Sequence, residues 1–264
     1  PMGKAFPFVK LDERRSQTKP RITGLTLVKD YQTGLEALED TLAVAAEYVD
    51  IFKFVTGTTR LLNRDFVKAK TALLRKYQIQ PYLGGQFQEY VLHTMGVEAF
   101  PQHLEEAKEL GFEIVEVSDN VVPFPDGVRK NLVDQIRDLG MIPIVEVGDK
   151  KENSSAEDVV NDVLQTLEEG SAFAMIEAQE LMIGSEPNEE LIHHLKAEVN
   201  VGRCMFEISS PYIGSTLPEI HVGKKFLLKT FGPDVNLGNI LLVDVIETEA
   251  SRLGLAAAGP LSFQ

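Results

Sequence analysis

The chain has 264 residues, with 26 Lys and Arg against 40 Asp and Glu, and therefore a net charge of −14. This acidic balance argues against binding to nucleic acids and to anionic membrane surfaces, because both attract basic faces. The composition, 44% hydrophobic and 25% charged, is that of a soluble globular protein. No apolar run approaches the ~20 residues that cross a bilayer, and the single cysteine, Cys204, fits a reducing compartment. We therefore expect a cytoplasmic protein that acts on a small molecule.

One folded domain is expected after a short N-terminal extension. Pro1 precedes Met2, so the first one or two residues are expected to be a cloning remnant, within an extension over residues 1–20. No Pro/Gly/Ser-rich linker or low-complexity tract divides the rest of the sequence. We therefore predict a single domain over residues 21–264.

Eight short apolar runs, each followed by an amphipathic stretch, alternate along the chain. The predicted strands cover residues 24–30, 49–55, 79–83, 113–117, 142–147, 172–177, 204–208 and 235–240. Their centres lie about 25 to 34 residues apart, and a βα unit needs about 30 residues. Eight such units predict an α/β protein with a (β/α)8 TIM barrel, and an open parallel sheet is the structural alternative. No glycine-rich phosphate loop follows the first strand, which disfavours a dinucleotide-binding fold.

Acidic residues recur at the carboxyl ends of four neighbouring predicted strands. Glu116, Glu146, Glu177 and Glu207 each share a strand face with the apolar residue two positions earlier, because successive side chains alternate. Four carboxylates pointing into one barrel mouth would repel one another unless a cation relieves them. Mg²⁺ prefers such hard oxygen ligands and can stabilise an enolate. We predict Mg²⁺ at Glu116, Glu146 and Glu177; the alternative is that each acid caps a helix or pairs with a lysine.

The other candidate site residues also stand near the ends of predicted strands. We predict catalytic roles for Lys53 and Lys150, which would pair with substrate charges or transfer a proton, and for Asp50 and Asp119, which would orient them. The predicted substrate-binding residues are Asp30, Gly84, Gly85, Gln86, Ser118, Gln179, Glu180, Glu207, Asn236 and Asn239.

The segments at the strand ends match one family in order, from about residue 20 to 255. They include Gly24-Leu25-Thr26, Asp50-Ile51-Phe52-Lys53-Phe54, Gly84-Gly85, Glu116-Val117-Ser118-Asp119, Glu146-Val147-Gly148, Glu177-Ala178, Phe206-Glu207 and Asn236-Leu237-Gly238-Asn239. The sequence resembles the phosphosulfolactate synthase family, with its bacterial and plant heat-stress-associated homologues. The resemblance implies a (β/α)8 barrel, Mg²⁺ dependence and homo-oligomers. It also implies a lyase that adds sulfite to phosphoenolpyruvate on the route to coenzyme M.

The sequence departs from the family pattern mainly at cations. Gln179 stands where the family has Arg, no Lys follows Glu207, and Ala256 stands where the family has a further Arg. Phosphate and sulfonate groups need Arg, Lys or a backbone nest. The alternative substrate is therefore a less anionic enolisable carboxylate, still activated through the metal. A new cation cluster at the barrel mouth would contradict this alternative; its candidates are Arg60, Lys150 and Lys151.

Two further functions stay open. A Schiff-base aldolase would use Lys53 or Lys150 as its nucleophile, since a desolvated lysine can attack a carbonyl. A non-catalytic stress-associated or interaction protein would have kept the barrel and lost the chemistry, and its stability would not respond to Mg²⁺.

Overall fold

Eight parallel strands close into a barrel in the computed structural model, which describes residues 3–119, 123–148, 154–183 and 186–256. The strands are β1 (Thr26–Asp30), β2 (Ile51–Phe54), β3 (Gln80–Leu83), β4 (Ile114–Val117), β5 (Ile142–Val147), β6 (Phe173–Ile176), β7 (Cys204–Glu207) and β8 (Leu237–Leu241). Each strand pairs with the next, and β8 closes on β1 where Leu237 pairs with Thr26. The predicted (β/α)8 barrel is therefore confirmed, and every predicted strand is present within two residues at each end.

Helices connect the strands on the outside of the barrel. They are α1 (Leu35–Ala45), α2 (Arg64–Lys76), α3 (Gly85–Met95), α4 (Phe100–Glu109), α5 (Val128–Asp138), α6 (Ala156–Glu168), α7 (Glu189–Glu198), α8 (Leu217–Phe231) and α9 (Val245–Arg252). Both α3 and α4 lie between β3 and β4, which explains the longest predicted interval. After β6, a short antiparallel ladder pairs Met182–Ile183 with Glu186–Pro187. Within the described ranges, no helix is long and apolar enough to cross a membrane.

The helix boundaries follow local sequence signals. Ser155 caps α6, where its hydroxyl accepts a hydrogen bond from the Asp158 backbone N–H. Gly111, Gly140 and Gly170 follow helices with φ of +88°, +72° and +107°, a backbone conformation in which glycine meets no steric cost. These caps end each helix in a sharp turn before the next strand.

Two apolar layers hold the barrel together. The inner layer fills the barrel and consists of Leu25, Leu27, Ile51, Tyr82, Ile114, Ile144, Met175 and Met205. The larger outer layer lies between strands and helices, and includes Val28, Phe52, Val115 and Phe206. Because the two sets alternate along each strand, the residue that follows an inner one by two positions also points into the barrel.

A buried arginine binds backbone carbonyl oxygens at the amino-terminal end of the barrel. Arg252, at the end of α9, is fully buried and donates hydrogen bonds to the carbonyl oxygens of Pro233 (2.8 Å), Val235 (2.6 Å) and Leu25 (3.1 Å). Burial lowers the pKa of Arg252 to about 9, so the guanidinium still carries its charge at neutral pH. The last helix is therefore tied to the strands on both sides of the barrel closure.

Candidate active site

Six charged side chains form one layer at the carboxyl-terminal end of the barrel. This charged layer consists of Lys29, Lys53, Glu116, Glu146, Glu177 and Glu207. Each follows a residue of the inner apolar layer by two positions, so strand alternation turns it into the barrel. All six side chains are buried. The four glutamates come from the neighbouring strands β4 to β7, as the sequence pattern predicts.

Three of the glutamates lie close enough to hold one metal ion. Glu146, Glu177 and Glu207 each offer a carboxylate oxygen, and these oxygens lie within 4.8 Å of one another. Carboxylate oxygens are hard ligands of the kind that Mg²⁺ prefers. When all six side chains of the charged layer are ionised, two ammonium groups face four carboxylates and leave a net charge of −2. A divalent cation balances that charge, so the donor set fits such an ion.

Lys53 lies between Glu116 and the group of three carboxylates. Its Nζ lies 2.6 Å from Glu116 Oε2 and 3.8 Å from Glu207 Oε1. Tyr82 donates a 2.6 Å hydrogen bond to the same Glu116 oxygen. Burial lowers the pKa of Lys53, but the charges of Glu116, Glu207 and Glu146 outweigh it and hold that pKa well above its ordinary range. Lys53 is therefore an ammonium ion at neutral pH.

The structure groups the four glutamates differently from the sequence prediction. The sequence pattern assigned Glu116 to the metal and Glu207 to the substrate. In the structure Glu207 joins Glu146 and Glu177 in the carboxylate group, while Glu116 contacts Lys53 and Tyr82. Glu116 lies on β4 beside β3, where it meets Tyr82, and it reaches Lys53 on β2 beyond β3.

A serine links the charged layer to a second buried acid. The Ser118 hydroxyl lies 2.7 Å from Glu146 Oε2 and 2.5 Å from Glu89 Oε1. Gln88 Oε1 accepts a hydrogen bond from the Ser118 backbone N–H at 3.0 Å. The hydroxyl has one hydrogen, so it donates to one carboxylate at a time. Ser118, a predicted substrate-binding residue, thus positions the Glu146 carboxylate.

Two glycines allow helix α3 to begin directly over the charged layer. A Cβ on Gly85 would lie 2.7 Å from Ser118 Cβ and 2.9 Å from Glu116 Cγ. One on Gly84 would lie 3.0 Å from the Phe54 carbonyl oxygen. Only hydrogen fits at Gly85, so this predicted site residue acts by allowing close approach.

A cavity of about 870 Å³ lies above the charged layer. All six charged side chains line it, as do the predicted residues Gly85, Gln86, Gln179 and Asn239. No arginine lines it in the described part of the chain, which includes every arginine of the sequence. Arg60 is exposed and does not belong to the cavity wall, whereas Lys150 and Lys151 lie outside the described residues.

Three predicted site residues point away from the cavity. Asp30 lies on the outer side of β1, where it pairs with Lys70 Nζ at 2.6 Å. Asp50 lies at the amino-terminal end of β2 and pairs with Arg21 at 2.9 Å. Asn236, just before β8, accepts from the Leu25 backbone N–H at 3.0 Å and donates to the Cys204 carbonyl oxygen at 2.8 Å. We therefore assign structural contacts to these three and carry none of them into the proposed site.

Two further predicted residues stand beside the cavity without lining it. Asp119 is half-buried. Burial raises the pKa of its carboxyl group, and this effect exceeds the opposite effect of the Arg129 charge. Glu180 accepts hydrogen bonds from the Ser154 backbone N–H at 2.9 Å and hydroxyl at 2.8 Å, which fixes the start of α6.

Lys29 is the member of the charged layer that the sequence prediction missed. It pairs in register with Lys53 across β1 and β2 and lines the cavity. The signal was present in the alternation of Leu25, Leu27 and Lys29, because every second residue faces inward. The prediction chose its neighbour Asp30, which the same alternation places on the outer face.

The fold and the charged layer define a (β/α)8 barrel protein whose candidate site lies at the carboxyl-terminal ends of the strands, where enzymes of this fold place their active sites. The family model for (2R)-phospho-3-sulfolactate synthase matches residues 14–258. The chain therefore belongs to the phosphosulfolactate synthase family.

Individual relatives agree with this assignment. The chain is 31% identical to phosphosulfolactate synthase of Methanocaldococcus jannaschii, over 96% of each chain. It is 32% identical to that of Methanothermobacter thermautotrophicus, over 90% of this chain and 91% of the relative. It is 22% identical to the Arabidopsis thaliana protein HEAT-STRESS-ASSOCIATED 32, over 83% and 82%. Among solved structures, the type I 3-dehydroquinate dehydratase of Clostridium difficile is similar in fold, with a TM-score of 0.55, 13% identity and coverage of 86% and 91%.

Proposed function

We propose that this protein is a lyase that adds sulfite, or a related nucleophile, to phosphoenolpyruvate or a similar enol in the presence of Mg²⁺. The observation that carries the proposal is the group of three buried carboxylates beside the Lys53 ammonium, in one cavity at the strand ends. The family matches support the same reaction class. The substrate is accordingly a small molecule.

Glu146, Glu177 and Glu207 would hold the Mg²⁺ ion. Their oxygen donors, their spacing and the net negative charge of the layer all fit a divalent cation. When bound, the ion stabilises negative charge that develops on a substrate oxygen. The Ser118 hydroxyl keeps the Glu146 carboxylate oriented.

The lysines of the charged layer supply the positive charge and the proton. Lys53 and Lys29 lie side by side across β1 and β2 and attract the substrate's anionic groups. When the nucleophile bonds to C3 of the enol, the π electrons move to C2, and C2 takes a proton from Lys53 Nζ. Glu116 and Tyr82 hold that ammonium group in place before transfer. Lys150 stays a predicted partner in this step.

A ³¹P NMR time course tests the reaction. The protein is incubated with phosphoenolpyruvate, sulfite and Mg²⁺, and a new phosphoester signal is expected that requires both sulfite and Mg²⁺ and disappears with EDTA. Glu177→Gln is expected to abolish the signal, whereas Glu190→Gln, on the surface of α7, leaves it unchanged. The proposal fails if the wild-type protein forms no product.

A second candidate substrate is a less anionic enolisable carboxylate. It is favoured by the cavity wall, in which the described cations are two lysines and no arginine. In that case the NMR experiment shows no phosphoester product, while Mg²⁺ still raises the melting temperature. Binding at 100 times Kd stabilises a fold by about 2.7 kcal/mol.

The two remaining alternatives have tests of their own. A Schiff base needs a neutral lysine, and the carboxylates around Lys53 favour its ammonium form. Lys150, the other predicted nucleophile, lies outside the described residues. Borohydride with pyruvate is expected to leave the protein mass unchanged. A non-catalytic protein has no need of three clustered buried carboxylates. It would be indicated by a melting temperature that does not respond to millimolar Mg²⁺.

We also propose a cytoplasmic homo-oligomer. The family resemblance supports the oligomer. The lone buried thiol of Cys204, which has no second cysteine to pair with, supports a reducing compartment. Light scattering of the purified protein measures the mass directly, and a monomer would contradict the proposed oligomer.

A further inference from the structure

The cavity above the barrel has two ends of opposite chemistry. One end is the charged layer at the barrel axis. The other is lined by Met182, Ile213, Pro218, Val222 and Phe226, which we call the apolar limb. Both ends belong to one continuous cavity, so a single ligand can touch the carboxylates and the apolar limb together.

Helix α8 builds most of the apolar limb with a regular stripe. Pro218, Val222 and Phe226 are spaced four residues apart and therefore lie on one side of the helix. Gly223 also lines the limb, and a Cβ placed there would meet nothing within 4 Å. The limb is therefore open space bordered by apolar side chains.

The apolar limb leaves carbon surface in water. Val222 is 56% exposed and Ile213 is 73% exposed, although both border the same cavity as the buried carboxylates. Covering such surface with an apolar ligand group is favourable, by about four-fold in affinity for each methylene buried. The two described lysines of the cavity wall belong to the charged layer, and the charged side chain that α8 contributes to the wall is the acidic Glu219.

The size of the cavity also exceeds the needs of a three-carbon acid. Its volume of about 870 Å³ lies in the upper part of the range for cavities that bind drug-sized ligands. The part beyond the charged layer has room for a branched aliphatic or aromatic group.

We propose that the natural substrate is an enolisable carboxylic acid whose aliphatic or aromatic substituent occupies the apolar limb, while its carboxylate and enol oxygens face the charged layer. This inference rests on the proposed function with its second candidate substrate, the less anionic enolisable carboxylate, because it places the reacting end at the carboxylates and lysines. It adds a specificity surface, formed by α8 and the segment after β6, that selects the substituent.

Calorimetric titration with a series of 2-oxo acids tests the inference. Pyruvate, 2-oxobutanoate and 2-oxo-4-methylpentanoate share one reacting end and differ only in the apolar group. With Mg²⁺ present, the affinity is expected to rise about four-fold from pyruvate to 2-oxobutanoate, and at least about ten-fold to 2-oxo-4-methylpentanoate. EDTA is expected to weaken all three.

Two valine variants connect the preference to the apolar limb. Val222→Asn puts a polar group in the limb and is expected to reduce the affinity ratio between 2-oxo-4-methylpentanoate and pyruvate to about three or less. Val44→Asn makes the same change at a 69% exposed helix position outside the cavity wall, and is expected to leave the ratio as in the wild type.

The outcomes separate this inference from the proposed function. If pyruvate binds with Mg²⁺ and the longer acids bind no better, the inference is overturned, while the ³¹P NMR time course decides the proposed function separately. If none of the acids binds with Mg²⁺, the inference fails; the proposed function fails only if phosphoenolpyruvate and sulfite also give no product in the ³¹P NMR time course. If Val44→Asn reduces the ratio as much as Val222→Asn, the limb is not the specificity surface.

Discussion

Lys53 and Glu116 form a buried ion pair across the barrel, with 2.6 Å between Nζ and Oε2. Their strands, β2 and β4, are not adjacent, and the intervening β3 contributes Tyr82, which donates to the same carboxylate oxygen. Three strands are thus joined at one atom. The pair keeps a protonated amine beside the carboxylate group that fits a metal.

Removing the lysine is expected to destabilise the protein strongly. Lys53→Met leaves the Glu116 carboxylate buried without its counter-charge, which costs about 3 kcal/mol of unfolding free energy. Adding Glu116→Gln is expected to restore part of that loss, because the uncompensated charge is gone. Urea denaturation of the single and double variants measures both effects.

An exposed ion pair provides the control for this experiment. Lys76 and Glu39 lie 2.8 Å apart on the surface, so Lys76→Met is expected to cost less than about 1 kcal/mol. Equal losses for Lys53→Met and Lys76→Met would show that the barrel pair is not buried as described.

Opposite effects are expected from alanine at two glycines that border the same cavity. Gly85→Ala forces a Cβ against Ser118 and Glu116 and is expected to cost about 1–3 kcal/mol. Gly223→Ala meets open space inside helix α8 and is expected to gain up to about 1 kcal/mol, because alanine favours the helix. Thermal unfolding of both variants checks the signs; a neutral Gly85→Ala would contradict the close approach of α3.

Asp30 is expected to affect stability and not metal binding. Its carboxylate compensates the buried Lys70 ammonium, which lies 5.3 Å from the centre of the Phe54 ring. Asp30→Asn is therefore expected to lose about 3 kcal/mol while the Mg²⁺-dependent thermal shift is kept. Asp134→Asn, which breaks an exposed pair with Lys130, is the control and is expected to cost under about 1 kcal/mol. A lost Mg²⁺ response in Asp30→Asn would return this residue to the site.

Acid sensitivity is expected from a buried histidine. His103 packs against Phe100 and Phe87, and burial lowers its pKa from 6.5 to about 4. Between these values the unfolded chain binds a proton that the folded protein does not, so stability falls as the pH drops from 6.5 towards 4. The contribution at pH 4 is about 3 kcal/mol.

Replacing His103 tests this origin of the acid sensitivity. His103→Phe keeps the aromatic packing and is expected to reduce the loss of unfolding free energy between pH 7 and pH 5. His93→Gln, at an exposed position of α3, is expected to leave the pH profile unchanged. An unaltered profile for His103→Phe would show that other groups cause the acid sensitivity.

The sequence was sufficient to predict the barrel and the inward direction of the four glutamates. Both follow from periods that are local: about 30 residues for each βα unit and two residues along each strand. The same two-residue period predicts that Lys53 and Asp50 face opposite sides of β2, because they are an odd number of positions apart. Asp50 also lies at the other end of the strand. Applied consistently, this period would also have favoured Lys29 over Asp30.

The grouping of the glutamates in space could not be predicted from local periods. It depends on which strands are neighbours and on how far each side chain reaches across the barrel. Glu116 and Lys53 meet inside the barrel although β3, with Tyr82, lies between their strands. Likewise, the apolar limb combines residues of α8 with Met182 after β6, which line one cavity although they lie about 40 positions apart in sequence.

The closure of β1 on β8 also determines when this protein can fold during synthesis. Thr26 and Leu237, which pair at the closure, are made at opposite ends of the chain, and Arg252 binds carbonyl oxygens on both sides of the seam. While the ribosome holds the last strand and helix, β1 has an open edge and the inner apolar layer lacks its final wall. At 5–20 residues per second, roughly 10–50 s pass between the synthesis of these two strands. The nascent barrel therefore depends, for that interval, on protection from aggregation by its high negative charge or by chaperones.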